Sequence, residues 1–373
     1  MKILHIINSL NHGGAEKNLH NICKKDIKNK HVVISLTSNG YYRDLLKDKG
    51  IEVYPINLNK NILNFFRILK IVLKLRPNVI QSWMYNSDLV ASLISIFTLK
   101  KNLVWNIRHT DLDPSIEKKR TLWISKILSK LSHFLPYKII VCASRALDEH
   151  KKIGYDSKKL CHIPNGCDLD IFYPQKNSKQ KLCAELKLNN NYCLLGTVGR
   201  YHAYKDFPNL LKALSILKSK GILFNFVLVG HNNDYKNVKL NEIIKNFDLE
   251  NRVSLLGLRN DIPYIMNSLD LYIQSSSSEA FPNVITEAMA CGTPCVATNV
   301  GDTLSIIGDT GWIVESKNAN LLASKIKKAI DETKKPHWEK ICESAHTRIF
   351  EKFSLESMIK SYSRIWEELK NKN

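Results

Sequence analysis

Three segments of this chain hold side chains that could do chemistry together. In Ser275-Ser276-Ser277-Ser278-Glu279-Ala280-Phe281-Pro282-Asn283-Val284-Ile285-Thr286-Glu287, two carboxylates are separated by seven residues. A helix beginning near Pro282, a residue suited to a first helical position, leaves Glu279 in the preceding loop and Glu287 about a turn and a half inside. The amides around Phe281 to Val284 then face outward at the positive end of that helix. Glu279 could accept hydrogen bonds from a polyol there, and Glu287 could grip a ribose diol. Equally, Glu279 could be a cap and Glu287 a surface residue, and two carboxylates alone do not decide between these readings. The second segment, Gly199-Arg200-Tyr201-His202-Ala203-Tyr204-Lys205-Asp206, sets two fixed cations close together. Arg can grip two phosphate oxygens in a fork and Lys acts as a mobile point charge, although most such residues are simply solvated. The third, Asn8-Ser9-Leu10-Asn11-His12-Gly13-Gly14-Ala15-Glu16, offers a glycine pair at a possible helix start, suited either to an anion or to a tight turn. It is not G-x-G-x-x-G, and no acidic residue closes the next strand near Ser35-Leu36, which weighs against a dinucleotide.

The elements that must position these segments alternate along the chain. Short β-branched runs at 2–7, 31–36, 52–55, 78–82, 102–107, 137–141 and 160–163 are separated by helix-length patterns, as in parallel sheets covered by helices. Residues 164–180, with Asn165-Gly166, two prolines and a polar run, read as a linker. The alternation then resumes with strands near 192–199, 224–229, 253–256, 270–273, 294–297 and 312–314, and closes in helices near 336–350 and 355–369. The fold class expected is α/β, with two Rossmann-like doubly wound domains: 1–178 with the final helix 355–373, and 179–354. Ligands of such sheets sit beyond the carboxyl ends of strands, where all three segments fall.

Composition narrows the class. Apolar residues make up 44% of 373, which fits a folding globular chain. The net charge is +20, and positions 1–178, with 29 basic and 14 acidic residues, carry most of it. Such a surplus points to an anionic partner. No helix-turn-helix, zinc knuckle or aromatic RNA-binding signature accompanies it, so nucleic acid is not expected. Nine irregularly spaced cysteines without C-x-x-C argue against zinc and disulfides. No run reaches the ~20 apolar residues of a spanning helix, and 89–99 reads as a buried helix. A cytoplasmic location is expected, peripheral on the inner face of the membrane.

The order SSSSEAFPNVITEAMACGTPCVAT resembles the signature of family-4 retaining glycosyltransferases of the GT-B architecture, in which two Rossmann-like domains face each other across the donor cleft. Gly13-Gly14, the Arg200…Lys205 pair, NGCDLDIFYP and the last helix match further parts of that pattern, so the likeness runs over nearly the whole chain. Ala280 stands where many relatives have Gly. The resemblance implies that Glu287 holds the ribose of a nucleotide sugar. It implies that Arg200 and Lys205 hold the diphosphate, with amides near Gly14 completing that site. Glu279, Ala280 and the backbone of Phe281, Pro282, Asn283 and Val284 orient the donor sugar; Gly257-Leu258-Arg259 receives the base; His109 faces sugar and acceptor. The implied reaction moves a hexose or N-acetylhexosamine from a UDP-linked donor to a glycan or undecaprenyl-diphosphate-linked acceptor with retention, in surface polysaccharide or lipopolysaccharide assembly. No metal cofactor is expected: the D-x-D triplets Asp111–Asp113 and Asp168–Asp170 lie outside the nucleotide half, and Arg200 with Lys205 can neutralise the leaving group. A nonhydrolysing sugar-nucleotide epimerase is the enzymatic alternative, and a basic nucleic-acid-binding protein the non-enzymatic one.

Two basic segments, 61–75 and 117–134, combine apolar residues with spaced lysines and arginines. Either could lie on an anionic bilayer or bury its apolar face in the domain.

Overall fold

The computed structural model describes residues 1–11, 13–38, 40–58, 60–108 and 119–372. The chain divides into two units, Met1–Gly166 with Leu355–Asn373, and Cys167–Ser354. The first unit runs β1 Lys2–Ile7, α1 Gly14–Lys25, β2 Lys30–Ser35, α2 Tyr41–Asp48, β3 Glu52–Pro55, α3 Asn64–Leu75 and β4 Val79–Trp83. It continues with α4 Tyr85–Thr98, β5 Leu103–Ile107, α5 Lys119–Ser132, β6 Lys138–Val141, α6 Ser144–Ile153 and β7 Leu160–His162. The second runs α7 Ser178–Glu185, β8 Cys193–Val198, α8 Phe207–Ser219, β9 Phe224–Val229, α9 Val238–Asn246, β10 Val253–Gly257 and α10 Ile262–Ser268. It ends with β11 Leu271–Gln274, α11 Asn283–Ala290, β12 Cys295–Thr298, α12 Thr303–Ile307, β13 Trp312–Val314, α13 Ala319–Glu332 and α14 Trp338–Lys352. The last helix, α15 Leu355–Lys370, belongs to the first unit.

Both sheets are parallel, in the orders β3-β2-β1-β4-β5-β6-β7 and β10-β9-β8-β11-β12-β13. Strand order therefore reverses between β1 and β4 in one unit and between β8 and β11 in the other, and at such a switch point the strand-end loops diverge to leave a crevice. Burial on both faces explains why central strands read as unbroken apolar runs: every residue of β9, Phe-Asn-Phe-Val-Leu-Val, is buried.

α15 is held by chemistry as well as packing. Leu355, Met358, Tyr362, Ile365, Trp366 and Leu369 are buried. The Trp366 indole N–H donates to Gln81 Oε1 (3.1 Å), and the Tyr362 hydroxyl accepts from Asn106 Nδ2 and Arg108 Nη2 (both 2.8 Å). Beneath it runs a buried relay. The Trp83 indole can only donate, so His5 Nδ1 accepts from it (3.2 Å) and the His5 proton sits on Nε2. That proton is donated to His31 Nδ1 (2.9 Å), and His31 Nε2–H is donated to Asp26 (3.2 Å). Burial, then the neighbouring His31, holds the His5 pKa well below its usual value. His5, Cys23 and His31 lie close enough to suggest a metal cluster. Both imidazole lone pairs are already accepting protein donors, so the two histidines serve as a hydrogen-bond relay from Trp83 to Asp26.

Several boundaries depart from expectation. The break falls after Gly166 rather than at 178, because the intervening stretch packs on the second unit. Cys167 N–H donates to Phe353 O (2.8 Å), and Asn267 takes the Gln175 N–H (2.6 Å) while donating to Tyr173 O (3.0 Å). The segment read as a linker also starts helix α7. The run 89–99 is not wholly buried: α4 buries Val90, Ala91 and Ile94 but exposes Leu93, Ile96 and Phe97, with Leu99 just beyond it. No helix among the described residues is long and apolar enough to cross a membrane.

Candidate active site

The second unit gathers its functional side chains at its switch point. β8 ends at Val198, and the chain turns through Gly199 and Arg200 into a single 3-10 turn, Ala203–Lys205. β11, hydrogen-bonded beside β8, releases the Ser275–Pro282 loop into α11. The two loops are stitched together. Ser275 Oγ donates to Lys205 O (2.7 Å), and Ser277 N–H donates to Tyr204 O (2.8 Å). At the centre, Lys205 Nζ donates to Glu279 Oε1 at 2.6 Å, and Ser276 Oγ donates to the same oxygen at 2.9 Å. Both charged side chains are about four-fifths buried, 22% and 19% exposed. The lysine chain lies over Gly199, where a Cβ would stand 3.2 Å from its Cε. Arg200 is exposed and has no ion pair among the described residues, so its guanidinium is open to a ligand.

Neighbouring strand ends close around this pair. Gly230, directly after β9, has φ +137°, and a Cβ there would collide with the Gly199 carbonyl. Its N–H donates to Gly257 O (2.7 Å), which joins the loops after β8, β9 and β10. Gly301, after β12, has φ +54° and packs so closely that a Cβ would overlap the carbonyls of Glu279 and Ala280. Asp302 N–H donates to Ala280 O (3.0 Å). Glu279 is thus fixed from three sides by Lys205, Ser276 and the Gly301 turn. Neither Gly230 nor Gly301 was singled out from sequence, although each stands immediately beyond a strand or three residues after one.

His202 is a further residue that sequence reasoning left unassigned. Its Nδ1 accepts from Tyr204 N–H (3.3 Å), which puts the ring proton of the neutral form on Nε2. Burial and the charges of Arg200 and Lys205 lower its pKa, and Glu279 opposes them.

The remaining predicted residues divide. Phe281 and Pro282 are buried, Ala280, Asn283 and Val284 are half-buried, and α11 begins at Asn283, as expected for a helix opening near Pro282. Glu287 is buried inside that helix, 7% exposed, and is not a surface residue. Gly257 ends β10, and Leu258 projects into solvent. The Arg259 guanidinium is occupied, holding Asp261 by two bonds (2.6 and 2.8 Å) and Glu185 by one (2.7 Å).

In the first unit, Gly13 caps α1 in extended conformation and Gly14 opens it, beyond the end of β1 at that sheet's switch point. A Cβ at Gly13 would collide with the Glu16 carboxylate, which accepts from Ser9 Oγ at 3.1 Å. Burial raises the Glu16 pKa, while its own amide, Ser9 and Arg108 oppose the rise. Arg108 lies 4.8 Å from the Trp83 ring and bonds Asn165 and Tyr362. His109 and the triplet Asp111–Asp113 lie outside the described residues.

Two Rossmann-like parallel-sheet units, one with a cation–carboxylate pair at its switch point, match the class of GT-B glycosyltransferases. The family described as Glycosyltransferase Family 4 matches residues 12–171, and that described as Glycosyl transferases group 1 matches residues 178–341. The chain belongs to the family-4 glycosyltransferases and is a transferase enzyme. It is 24% identical over 321 residues to the N,N'-diacetylbacillosaminyl-diphospho-undecaprenol alpha-1,3-N-acetylgalactosaminyltransferase of Campylobacter jejuni, covering 82% of this chain and 83% of that protein. It is also 24% identical to the capsular polysaccharide biosynthesis glycosyltransferase CapM of Staphylococcus aureus, covering 87% and 86%. The crystal structure of Anabaena HepE in complex with UDP superposes with a TM-score of 0.86 at 23% identity, over 99% of this chain and 100% of that one.

Proposed function

We propose that this glycosyltransferase moves a hexose or N-acetylhexosamine from a UDP-linked donor to a sugar hydroxyl of a glycan or undecaprenyl-diphosphate-linked acceptor. The pathway is surface polysaccharide synthesis, at the cytoplasmic face of the membrane. The observation that carries this reading is the 2.6 Å Lys205–Glu279 pair at the β8/β11 switch point, with the exposed Arg200, which has no ion pair among the described residues, in the same loop as Lys205. Two cations there can take up the charge of a departing diphosphate, the role a metal plays elsewhere. Glu279 accepts from the donor sugar, Glu287 from the ribose, the Gly257 loop lines the base, and the amides at Gly13 and Gly14 serve the phosphates. His109 faces the acceptor. The names of the relatives support a lipid-diphosphate acceptor and a capsule-type product, and the UDP bound to HepE supports the uridine donor.

The mechanism is transfer with retention. Glycosidases flank the scissile bond with two carboxyl groups about 5–10 Å apart. Here Glu279 and Glu287 instead grip successive parts of one donor, and the leaving phosphate assists attack on the same face. A thermal-shift panel of sugar nucleotides tests the donor: at 100 times its Kd, the true donor stabilises by about 2.7 kcal/mol. No shift with any UDP-sugar would refute the reading. Donor conversion without acceptor would favour the epimerase, and an inverted anomeric centre in the product would exclude retention.

A further inference from the structure

The first unit carries an apolar surface that its own core does not use. α3 is apolar nearly all round, yet it buries only Ile68 and Val72 and leaves Phe66 and Leu73 exposed. α4 packs beside it, with the Phe65 and Phe97 rings 5.7 Å apart. The outer side of α4 and the turn after it add Leu93, Ile96, Phe97 and Leu99, the last two 64% and 90% exposed. A soluble surface rarely groups large side chains in this way without a partner.

Charge identifies the partner. Residues 60–101 contain seven lysines and arginines and one acid, Asp88, which is fully buried. An apolar centre is therefore flanked by cations with no exposed carboxylate from the same stretch. Two copies meeting through this face would bring like charges together, which is costly. An anionic lipid surface offers both an apolar phase and negative headgroups. α5, the other basic helix, buries Ile124 and Leu128 and exposes Trp123, with Phe134 just beyond it, a smaller set of large exposed side chains than the α3–α4 face carries.

We infer that the α3–α4 face seats on an anionic lipid surface, with Phe66, Phe97 and Leu99 entering the headgroup–acyl boundary and the flanking Lys and Arg meeting lipid phosphates. The inference deepens the proposed function, on which it rests for the lipid-borne acceptor, but its test needs no turnover. The full chain is co-sedimented with phosphatidylcholine vesicles with and without phosphatidylglycerol. Binding to the anionic vesicles only is expected. Lys70→Gln with Lys101→Gln should weaken it roughly 25-fold at low salt, from ~1 kcal/mol per cation. Phe66→Ser with Phe97→Ser should remove the fraction that survives 1 M salt, where the screening length is ~3 Å. Absence of vesicle binding, or binding that both variants retain unchanged, overturns the inference. So does a dimer that Phe66→Ser with Phe97→Ser dissolves, since the occupant would then be a second copy. UDP thermal shifts on the same samples separate the two claims. A UDP response without vesicle binding refutes only this inference, while vesicle binding without any UDP response refutes only the donor reading.

Discussion

Replacing Lys205 by Met tests the site most directly. The ammonium is about four-fifths buried and already oriented, 2.6 Å from Glu279. A diphosphate charge within about 4 Å of it, at an effective dielectric of about 20, interacts by about 4 kcal/mol. That charge grows as the sugar leaves, so the interaction strengthens towards the transition state and should appear mainly in kcat. The expected loss in kcat/KM is therefore about 10³-fold. Glu279→Gln has a different signature. It frees Lys205 from its internal counter-ion, so UDP should bind more tightly while turnover falls. Steady-state kinetics with a UDP-sugar, paired with UDP titration by calorimetry, reads both effects. The double variant Lys205→Met with Glu279→Gln leaves no unpaired carboxylate and controls for folding. If Lys205→Met kept more than a tenth of wild-type kcat/KM, or if Glu279→Gln bound UDP more weakly with turnover intact, the assigned roles would be refuted.

Three further outcomes are expected. Gly301→Ala should cost about 1–2 kcal/mol for its left-handed backbone and lower turnover about 10²-fold by displacing Glu279, whereas Gly50→Ala, at φ +73° with open space around it, should leave activity unchanged; equal turnover in the two variants would refute the Gly301 contact. Trp366→Ala should destabilise the first unit by about 3–5 kcal/mol in urea unfolding, and Trp366→Phe by about 1–3 kcal/mol because the Gln81 oxygen then loses its donor. His202 should take up a proton as UDP binds: burial first, then the charges of Arg200 and Lys205, lower its pKa from 6.5, a diphosphate between those cations offsets their part of the push, and UDP affinity should rise as pH falls through this window. Calorimetry in buffers of different ionisation heat measures the uptake; an identical uptake in His202→Gln would assign it to the nucleotide alone.

The sheets were legible because parallel strands buried on both faces leave short apolar runs, as in β9, that the helical period between them cannot mimic. All thirteen strands among the described residues lie within a residue or two of their expected positions. The misses have physical causes. α12 has five residues, too few to show a period, and α7 forms from a polar stretch whose anchors lie elsewhere: Leu182 and Cys183 are buried, and Lys179 pairs with Asp270 at 2.6 Å. Glu287 could be placed inside a helix but not on a face. The Lys205–Glu279 contact joins residues 74 apart, and β9 and β10 intervene in the chain. No local pattern shows that β8 and β11 are neighbours; only the resemblance linked their loops.

The pair also explains how a cation can be kept ready in a largely buried site. An unpartnered, largely buried ammonium would lose hydration without compensation, so Glu279 holds it meanwhile. Under the proposed function the two would exchange partners on donor binding: the ammonium would turn to phosphate oxygen, and the carboxylate, still bonded by Ser276, would accept from sugar hydroxyls. Each charge would then remain paired throughout, and little solvent would have to reorganise at the moment of reaction. The exchange requires a short reach, which the loops supply. Lys205 lies over Gly199, where no side chain obstructs it, and Gly301 fixes the Glu279 backbone so that only side chains need move. A bulkier residue at Gly199 would therefore impair donor binding even with Lys205, Glu279 and Arg200 all present, because it would block the path between the two partners of the ammonium.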